Sequence, residues 1–364
     1  MKTTKKTGLI IIALLGAIFL TVLLLKGKTK SANEIRIGAI FPMTGYAASN
    51  GQISYRSLSL AIDSLNKIQS NYKYKVIYED CKSSAKDATL AYKRLKSQGV
   101  KYFLGFGGAF LVGLTPETNN NEEILFAVGT PNMNFLSLSN RAIRIYPNVE
   151  MVIDLIINFI SEKQYNNAAI VYLQSEAYSN YNVIFQKKMN NHGIPVVYTE
   201  GFDANTKDFK GIINKIAVQK PDLLYLAGTG ESTAIFIRQL FSNPQAENIP
   251  IIGDMSLANS DNLQLIGDIK HPLYVIDSYI SPEYKTAYRS MYKEMPNALH
   301  AFVATVPFIL NDAINDCGQD ASVSTICQHI KNHEFSTLTG SLSFSKESGE
   351  PNLNMYVRTV LSAE

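Results

Sequence analysis

Two patterns of hydrophobic positions alternate along the chain after residue 34. Short runs rich in β-branched residues, such as 35–41, are followed by stretches such as 52–67, in which apolar residues recur every three or four positions. This alternation is typical of parallel βαβ units, in which a helix crosses back over the sheet after each strand. The sequence therefore predicts an α/β fold.

The units fall into two series with a break near Pro147. Strands of the first series are predicted at 35–41, 74–79, 102–105, 125–128 and 143–145. Strands of the second series are predicted at 168–173, 194–199, 223–226, 249–252 and 273–276. Three helical stretches then precede two closing strands, 340–344 and 354–360. Two strands are too few to form a separate sheet. We therefore expect the closing strands and the three helices to complete the two layered units formed by the first and second series.

The first thirty residues differ from the rest of the chain. An uncharged run from Gly8 to Leu25 lies between lysines on both sides. Its 18 residues approach the roughly 20 that span a bilayer as one helix. Residues 1–33 are therefore predicted to be an N-terminal membrane anchor or an export signal. The length of the run and the poor cleavage sequence after it favour an anchor, with a cleaved signal as the alternative.

Charge argues against a nucleic-acid partner. The chain has 34 basic and 31 acidic residues, but six of the lysines and none of the acids lie in the N-terminal segment. The remainder is therefore slightly acidic, whereas a nucleic-acid-binding protein needs a basic face.

The cysteines and histidines carry little recognisable chemistry. Cys317 and Cys327 can form a local disulfide in an oxidising compartment or remain separate thiols, and no C-x-x-C spacing indicates zinc. His329 and His333 lie four residues apart on a predicted helix, but no neighbouring carboxylate completes a metal set, so exposed helix surface is expected. No catalytic motif is present either. Neither an enzyme nor a cofactor is predicted.

Three segments at predicted strand ends are candidates for ligand binding. The loop 105–108 lacks the third glycine and the following acid of a dinucleotide site, so it is either an anion-binding nest or a tight turn. Thr229 stands between a strand and a helix, where it can cap the helix or contact a ligand. Asp254 ends an apolar strand, where it can hold an ammonium group or stabilise a turn.

Several of these segments, taken in order, resemble a known family. The stretch 35–45 (Ile-Arg-Ile-Gly-Ala-Ile-Phe-Pro-Met-Thr-Gly), with 50–52 and 60–66 after it, resembles the start of type I periplasmic binding proteins of the leucine/isoleucine/valine-binding branch. Similar segments recur at 78–81, 175–178, 252–254 and 340–344. No single segment is specific, but their order and spacing together are.

The resemblance implies two Rossmann-like three-layer lobes joined by a three-crossover hinge. With crossovers near Pro147, Ser278 and Leu338, the first lobe comprises 34–147 plus 279–338, and the second 148–278 plus 339–364. A ligand would be trapped between the lobes, and closure would signal to an ABC permease. The protein would act on the periplasmic or cell-surface side of the inner membrane, anchored there or secreted.

The resemblance also implies a set of ligand-binding residues. By position these are Gly108, Ala109, Thr130 and Asn132 in the first lobe, Tyr178, Thr229 and Asp254 in the second, and Asn50 and Leu299 at the mouth. Ala109 stands where the family usually has serine, and Pro131 interrupts the adjacent loop. The ligand that the resemblance implies is a small polar solute of amino-acid type, delivered to an ABC transporter. The alternative is a membrane-tethered sensor or scaffold that signals without transport.

Overall fold

The computed structural model describes residues 33–68, 72–120, 122–258, 260–269, 271–318 and 320–360. The predicted membrane segment Gly8–Leu25 lies outside the described residues. Among the described helices, Ala298–Cys317 is long and apolar enough to cross a membrane, but 78% of its qualifying window is buried inside the protein. It is therefore a core helix of the fold.

The first sheet is built from the N-terminal series. Its strands, all parallel, lie in the order β2-β1-β3-β4-β5. They are β1 (Asn33–Phe41), β2 (Tyr72–Asp80), β3 (Tyr102–Phe106), β4 (Ile124–Val128) and β5 (Ala142–Arg144). The helices of this part are α1 (Ala48–Ile68), α2 (Ala85–Ser97), α3 (Gly108–Leu111) and α4 (Glu117–Asn120), with a 3₁₀ turn at Phe135–Leu138.

The second sheet repeats the arrangement with one added strand. Its order is β14-β10-β9-β8-β6-β7, and β14 runs antiparallel to β10. The strands are β6 (Ala168–Leu173), β7 (Val196–Phe202), β8 (Leu223–Ala227), β9 (Ile251–Gly253), β10 (Leu273–Ser278) and β14 (Met355–Val360). Its helices are α5 (Val149–Lys163), α6 (Glu176–Asn191), α7 (Lys210–Gln219), α8 (Gly230–Phe241) and α9 (Ser260–Ile266), with a 3₁₀ turn at Met255–Ala258.

Three further helices return to the first sheet. They are α10 (Pro282–Tyr292), α11 (Ala298–Cys317) and α12 (Val323–Asn332). Tyr284 and Tyr288 of α10 share a buried cluster with Leu60 of α1, and α11 packs along α1. The chain therefore passes from the first layer to the second at 145–148 and back at 279–281.

A small third sheet forms the last connection. It consists of β11 (Phe335–Thr337), β12 (Gly340–Phe344) and β13 (Pro351–Asn352). The prediction that 340–344 completes one of the two large sheets was therefore wrong, whereas the last strand does join the second sheet. A tight hairpin pairs β12 with β11. Gly340 adopts the positive φ of 88° that this turn needs, and the Thr337 hydroxyl donates to the Gly340 carbonyl over 2.8 Å.

The hydrophobic core runs through both layers. One continuous buried cluster contains Ile37 and Phe126 of the first sheet together with Ile170 and Ile252 of the second. Many helices begin at side-chain caps; for example, Asn148 accepts the backbone N–H of Met151 over 2.9 Å. Because a helix begins soon after most strands of the two large sheets, strand ends and helix N-termini lie at the same edge of each sheet. The fold is two Rossmann-like lobes joined by three crossovers, as predicted.

Candidate ligand-binding site

A cavity of about 210 Å³ lies between the two sheets. Its lining comes from both layers: Asn50, Phe106, Gly129, Pro131, Tyr146, Asn297 and Leu299 from the first, and Ala177, Tyr178, Tyr181, Thr229, Asp254 and Met255 from the second. Phe106 ends β3, and Thr229 and Asp254 follow β8 and β9 closely. The carboxyl ends of parallel strands are where α/β sheets form their binding crevices.

Four helices contribute their N-terminal ends to the cavity. Asn50 lies in the first turn of α1, Tyr178 in the first turn of α6, and Thr229 and Asn297 are the N-caps of α8 and α11. Helix N-termini carry partial positive charge and backbone N–H groups that lack an intrahelical acceptor. These four helix N-termini therefore favour an anionic group in the cavity.

Asp254 is the one lining residue with a formal charge, among the residues that the structure describes. Its side chain is largely buried, with 8% of the residue exposed. Burial, and secondarily the negative charge of Asp254, raises the pKa of both Tyr146 and Tyr225 above the usual range. Asp254 therefore lies within electrostatic reach of a group of buried tyrosines that stay neutral.

The tyrosines form an aromatic wall beside this carboxylate. The rings of Tyr178 and Tyr181 are 5.8 Å apart, on the same face of α6. The hydroxyl of Tyr225 is buried and makes no hydrogen bond within the described ranges. An aromatic face next to a carboxylate is an environment that attracts cations. The second layer thus supplies a wall that attracts cations, and it lies in the same cavity as the helix N-termini.

Five of the nine predicted ligand residues line this cavity and four do not. Those that line it are Asn50, Tyr178, Thr229, Asp254 and Leu299. Those that do not are Gly108, Ala109, Thr130 and Asn132.

The predicted anion nest is occupied by the protein's own backbone. The N–H of Gly107 donates to the Val128 carbonyl over 2.9 Å, and that of Gly108 to the Gly129 carbonyl over 3.4 Å. Ala109 is exposed outside the cavity. Phe106, the residue before Gly107, does line the cavity, and its ring is so close to Gly129 that a Cβ on this glycine would be 2.4 Å from the ring.

The segment 130–132 also directs its polar groups elsewhere. Thr130 is fully buried and its hydroxyl donates to the Val128 carbonyl over 3.3 Å. Asn132 is exposed, and its side-chain oxygen accepts the backbone N–H of Asn134 over 2.8 Å. Only Pro131, between them, lines the cavity.

Several lining residues were not predicted from the sequence, although the sequence around some of them indicated their position. Tyr181 lies three positions after Tyr178 and so on the same helical face, and Tyr146 closely follows a predicted strand. Asn297 precedes a strongly apolar helix, which marks it as an N-cap. Phe106 and Met255 carried no local sign, because only tertiary packing turns them towards the cavity.

The cysteines are separate thiols. Cys81, Cys317 and Cys327 are all free in the structure, which corresponds to the second of the two alternatives for Cys317 and Cys327, separate thiols and not a disulfide. Cys327 is buried, with its sulfur 3.9 Å from the carbonyl of Asn140, whereas Cys317 is partly exposed at the end of α11. Burial raises the pKa of Cys81 to about 11.

Known proteins with similar sequences belong to a family with this architecture. The periplasmic binding protein family matches residues 34–364. A leucine-, isoleucine-, valine-, threonine- and alanine-binding protein of Pseudomonas aeruginosa is 21% identical over 342 residues, which cover 90% of each chain.

Solved structures share the fold at low sequence identity. The branched-chain amino acid transporter substrate-binding protein LivJ of Streptococcus pneumoniae, in complex with isoleucine, has a TM-score of 0.79 at 18% identity, covering 91% of this chain and 97% of its own. A solute-binding protein of an ABC transporter from R. palustris, in complex with 4-hydroxybenzoate, has a TM-score of 0.80 at 16% identity, covering 91% and 94%.

These similarities confirm the resemblance to the leucine/isoleucine/valine-binding branch that the sequence segments indicated. The family model spans nearly all of the described chain, and the two-layer topology agrees with it. The chain has the type I periplasmic binding protein fold and belongs to the periplasmic binding protein family.

Proposed function

We propose that this protein captures a small zwitterionic, amino-acid-like solute in the interlobe cavity and presents it to an ABC-type permease without transforming it. The observation that carries the proposal is the placement of Asp254 and the tyrosines on one wall of the cavity, with helix N-termini of both layers around it.

The two ends of a zwitterion fit different parts of this lining. The ammonium group is expected at Asp254, where the neighbouring Tyr178 and Tyr181 add aromatic faces. The carboxylate is expected at the N-termini of α8 and α11, with Thr229 and Asn297 beside it. Charge-assisted hydrogen bonds of this kind are worth about twice a neutral one.

Phe106, Pro131, Met255 and Leu299 leave room for an apolar side chain. The cavity, at about 210 Å³, is smaller than the ~300–1,000 Å³ typical of pockets for drug-sized ligands. A solute with few heavy atoms is therefore expected.

Asp254 distinguishes amino acids from simple carboxylic acids. Relatives of this fold include proteins solved with isoleucine and with 4-hydroxybenzoate. An aromatic acid without an amine would place its charge in a lining whose one formal charge is negative, and burying two like charges together is costly. The amine is therefore what we expect this cavity to select.

Isothermal titration of the full-length protein tests the proposal. The panel contains the standard L-amino acids together with benzoate and 4-hydroxybenzoate. We expect heat with at least one amino acid that has a small apolar side chain, and none with the two acids. Binding of the amine-free acids alone would contradict the proposal.

The lobe boundaries and the membrane partner belong to the same proposal. We place 34–147 with 279–338 in one lobe and 148–278 with 339–364 in the other, so that closure about 145–148, 279–281 and the third sheet would enclose the ligand. The closed face would then be recognised by a permease, with residues 1–33 holding the protein at the membrane.

A further inference from the structure

Two histidines and an aspartate converge at the C-terminal ends of α11 and α12, away from the cavity. One ligating atom from each of Asp316, His329 and His333 lies within 4.8 Å of the other two. His329 and His333 are four residues apart, so their side chains share one face at the end of α12. Asp316 comes from the last turn of the preceding helix and supplies the carboxylate that the local sequence lacks.

The Nε2 atom of His329 faces this group. It is buried and lies 3.2 Å from Oδ2 of Asp316, with which it forms an ion pair when the ring is protonated. The contact does not have hydrogen-bond geometry, and a buried ring nitrogen without a hydrogen bond is costly unless something else satisfies it. An ion bound by both residues would satisfy this nitrogen and the carboxylate together.

The two imidazole rings are held in place by aromatic packing. The His329 and His333 rings are stacked at 19°, with centroids 4.8 Å apart. Phe335, the first residue of β11, packs edge-on against both. This packing restricts the rings without locking them, so part of the conformational entropy that metal binding removes is already lost.

The surroundings of the cluster are acidic. Asp312 lies one turn before Asp316 on α11, so the two carboxylates lie on the same side of this helix. The Nζ of Lys331, the basic residue between the two histidines, donates instead to the carbonyl of Asn140. A bound cation would therefore relieve repulsion between the two aspartates.

We propose that Asp316, His329 and His333 form a site for a divalent transition-metal ion, Zn²⁺ by the chemistry of its ligands. Imidazole nitrogen suits Zn²⁺, Cu²⁺ and Ni²⁺, and two histidines with one carboxylate leave a fourth position for water. Zinc bonds of about 2.1 Å put tetrahedral ligands about 3.4 Å apart. The exposed side chains of Asp316 and His333 must therefore close by a little over 1 Å at most.

The position of the site gives it a structural consequence. The ion would join the last turn of α11 to the last turn of α12, and His333 lies two residues before β11 in the third sheet. That sheet carries one of the connections between the layers. Bound Zn²⁺ would therefore stabilise the folded protein by mass action and stiffen the approach to this connection.

The test is titration of the metal-free full-length protein with ZnCl₂, followed by calorimetry and thermal unfolding. We expect one Zn²⁺ per chain and a rise in the unfolding temperature. His329→Asn, His333→Asn and Asp316→Asn should each weaken binding at least about tenfold. His192→Asn is the matched control, because His192 is likewise the C-cap of a helix, and it should bind as the unaltered protein does.

Two outcomes overturn the site. One is the absence of Zn²⁺ binding, or binding that survives both Asp316→Asn and His333→Asn, whose exposed side chains can be replaced without unfolding the chain. The other is loss of binding in Cys317→Ser with a thiolate charge-transfer band in the Co²⁺-substituted protein, which would assign the metal to the adjacent thiol. Nitrogen and oxygen ligation of Co²⁺ without that band supports the site.

Discussion

Arg144 and Glu350 form an ion pair between the edge of the first sheet and the third sheet, 206 residues apart in the chain. The arginine is fully buried, and its guanidinium also donates to the carbonyls of Thr130 and Asn132. These carbonyls flank Pro131, which lines the cavity. The pair therefore fixes both a connection between the layers and one wall of the candidate site.

Removing the acid should destabilise the protein strongly. Glu350→Gln leaves the buried Arg144 charge without its counter-ion, and we expect a loss of about 3 kcal/mol in the free energy of unfolding. Urea denaturation measures it. Glu34→Gln, which breaks the exposed pair with Arg36, is the control and should cost less than about 1 kcal/mol. Equal effects of the two substitutions would show that burial of Arg144 does not matter as argued.

A glycine at the start of α1 allows the close approach of the chain to this helix. A Cβ at Gly51 would lie 2.1 Å from the carbonyl oxygen of Pro42. Gly51→Ala should therefore destabilise the protein by about 1–3 kcal/mol. Gly211→Ala, in α7 with nothing within 4 Å of its Cβ, should instead stabilise it by about 0.5–1 kcal/mol. Chemical denaturation measures the free energy of unfolding of both variants. An unchanged stability of Gly51→Ala would contradict the close contact between Gly51 and Pro42.

His300 should make stability depend on pH. Burial lowers its pKa from 6.5 to about 3, so the unfolded chain binds a proton that the folded chain does not over that window. Stability is thus fully present above about pH 6.5 and lost as the pH falls, by roughly 3 kcal/mol between pH 7 and pH 4.

His300→Gln is the variant that isolates this contribution. The Nδ1 of His300 accepts the backbone N–H of Asn297 over 3.0 Å in a capping box, and glutamine can replace it there. The difference in unfolding free energy between the two proteins should shrink or reverse as the pH falls. A constant difference would rule out the buried neutral histidine.

Ligand affinity should respond to Thr229 and not to Ala109. Thr229→Val removes a hydroxyl at the cavity, which we expect to weaken binding of an amino-acid ligand by about 1–2 kcal/mol. Ala109→Ser restores the residue usual in the family, but Ala109 does not line the cavity, so affinity should not change. Titration calorimetry of both variants measures these affinities. Tighter ligand binding by Ala109→Ser would show that the glycine loop contacts the ligand.

The fold could be predicted from the sequence because its signals are local. Alternating periodicity marks each βαβ unit, and chain direction then follows from right-handed crossovers. The strands of the third sheet were harder, since β11 has three residues and β13 only two. Runs this short carry no periodicity, so only the turns on either side of β12 could have indicated their pairing.

Part of the site could be predicted because position after a strand determines it. Asp254 and Thr229 follow β-strands whose carboxyl ends meet, so the topology alone brings them together. Phe106 reaches the cavity through tertiary packing that no local pattern reveals. Asp316 was missed for a similar reason, because it joins His329 and His333 from another helix.

The proposed ion pair between Asp254 and the ligand's amine can be tested with a matched pair of ligands. Titration calorimetry compares the amino acid that binds best with its analogue lacking the amine, in the unaltered protein and in Asp254→Asn, whose folding is checked by thermal unfolding. The unaltered protein should prefer the amino acid, and Asp254→Asn should lose at least about tenfold in its affinity, equivalent to about 1.4 kcal/mol, while the preference collapses. If Asp254→Asn keeps both the affinity and the preference of the unaltered protein, Asp254 does not bind the ligand's amine.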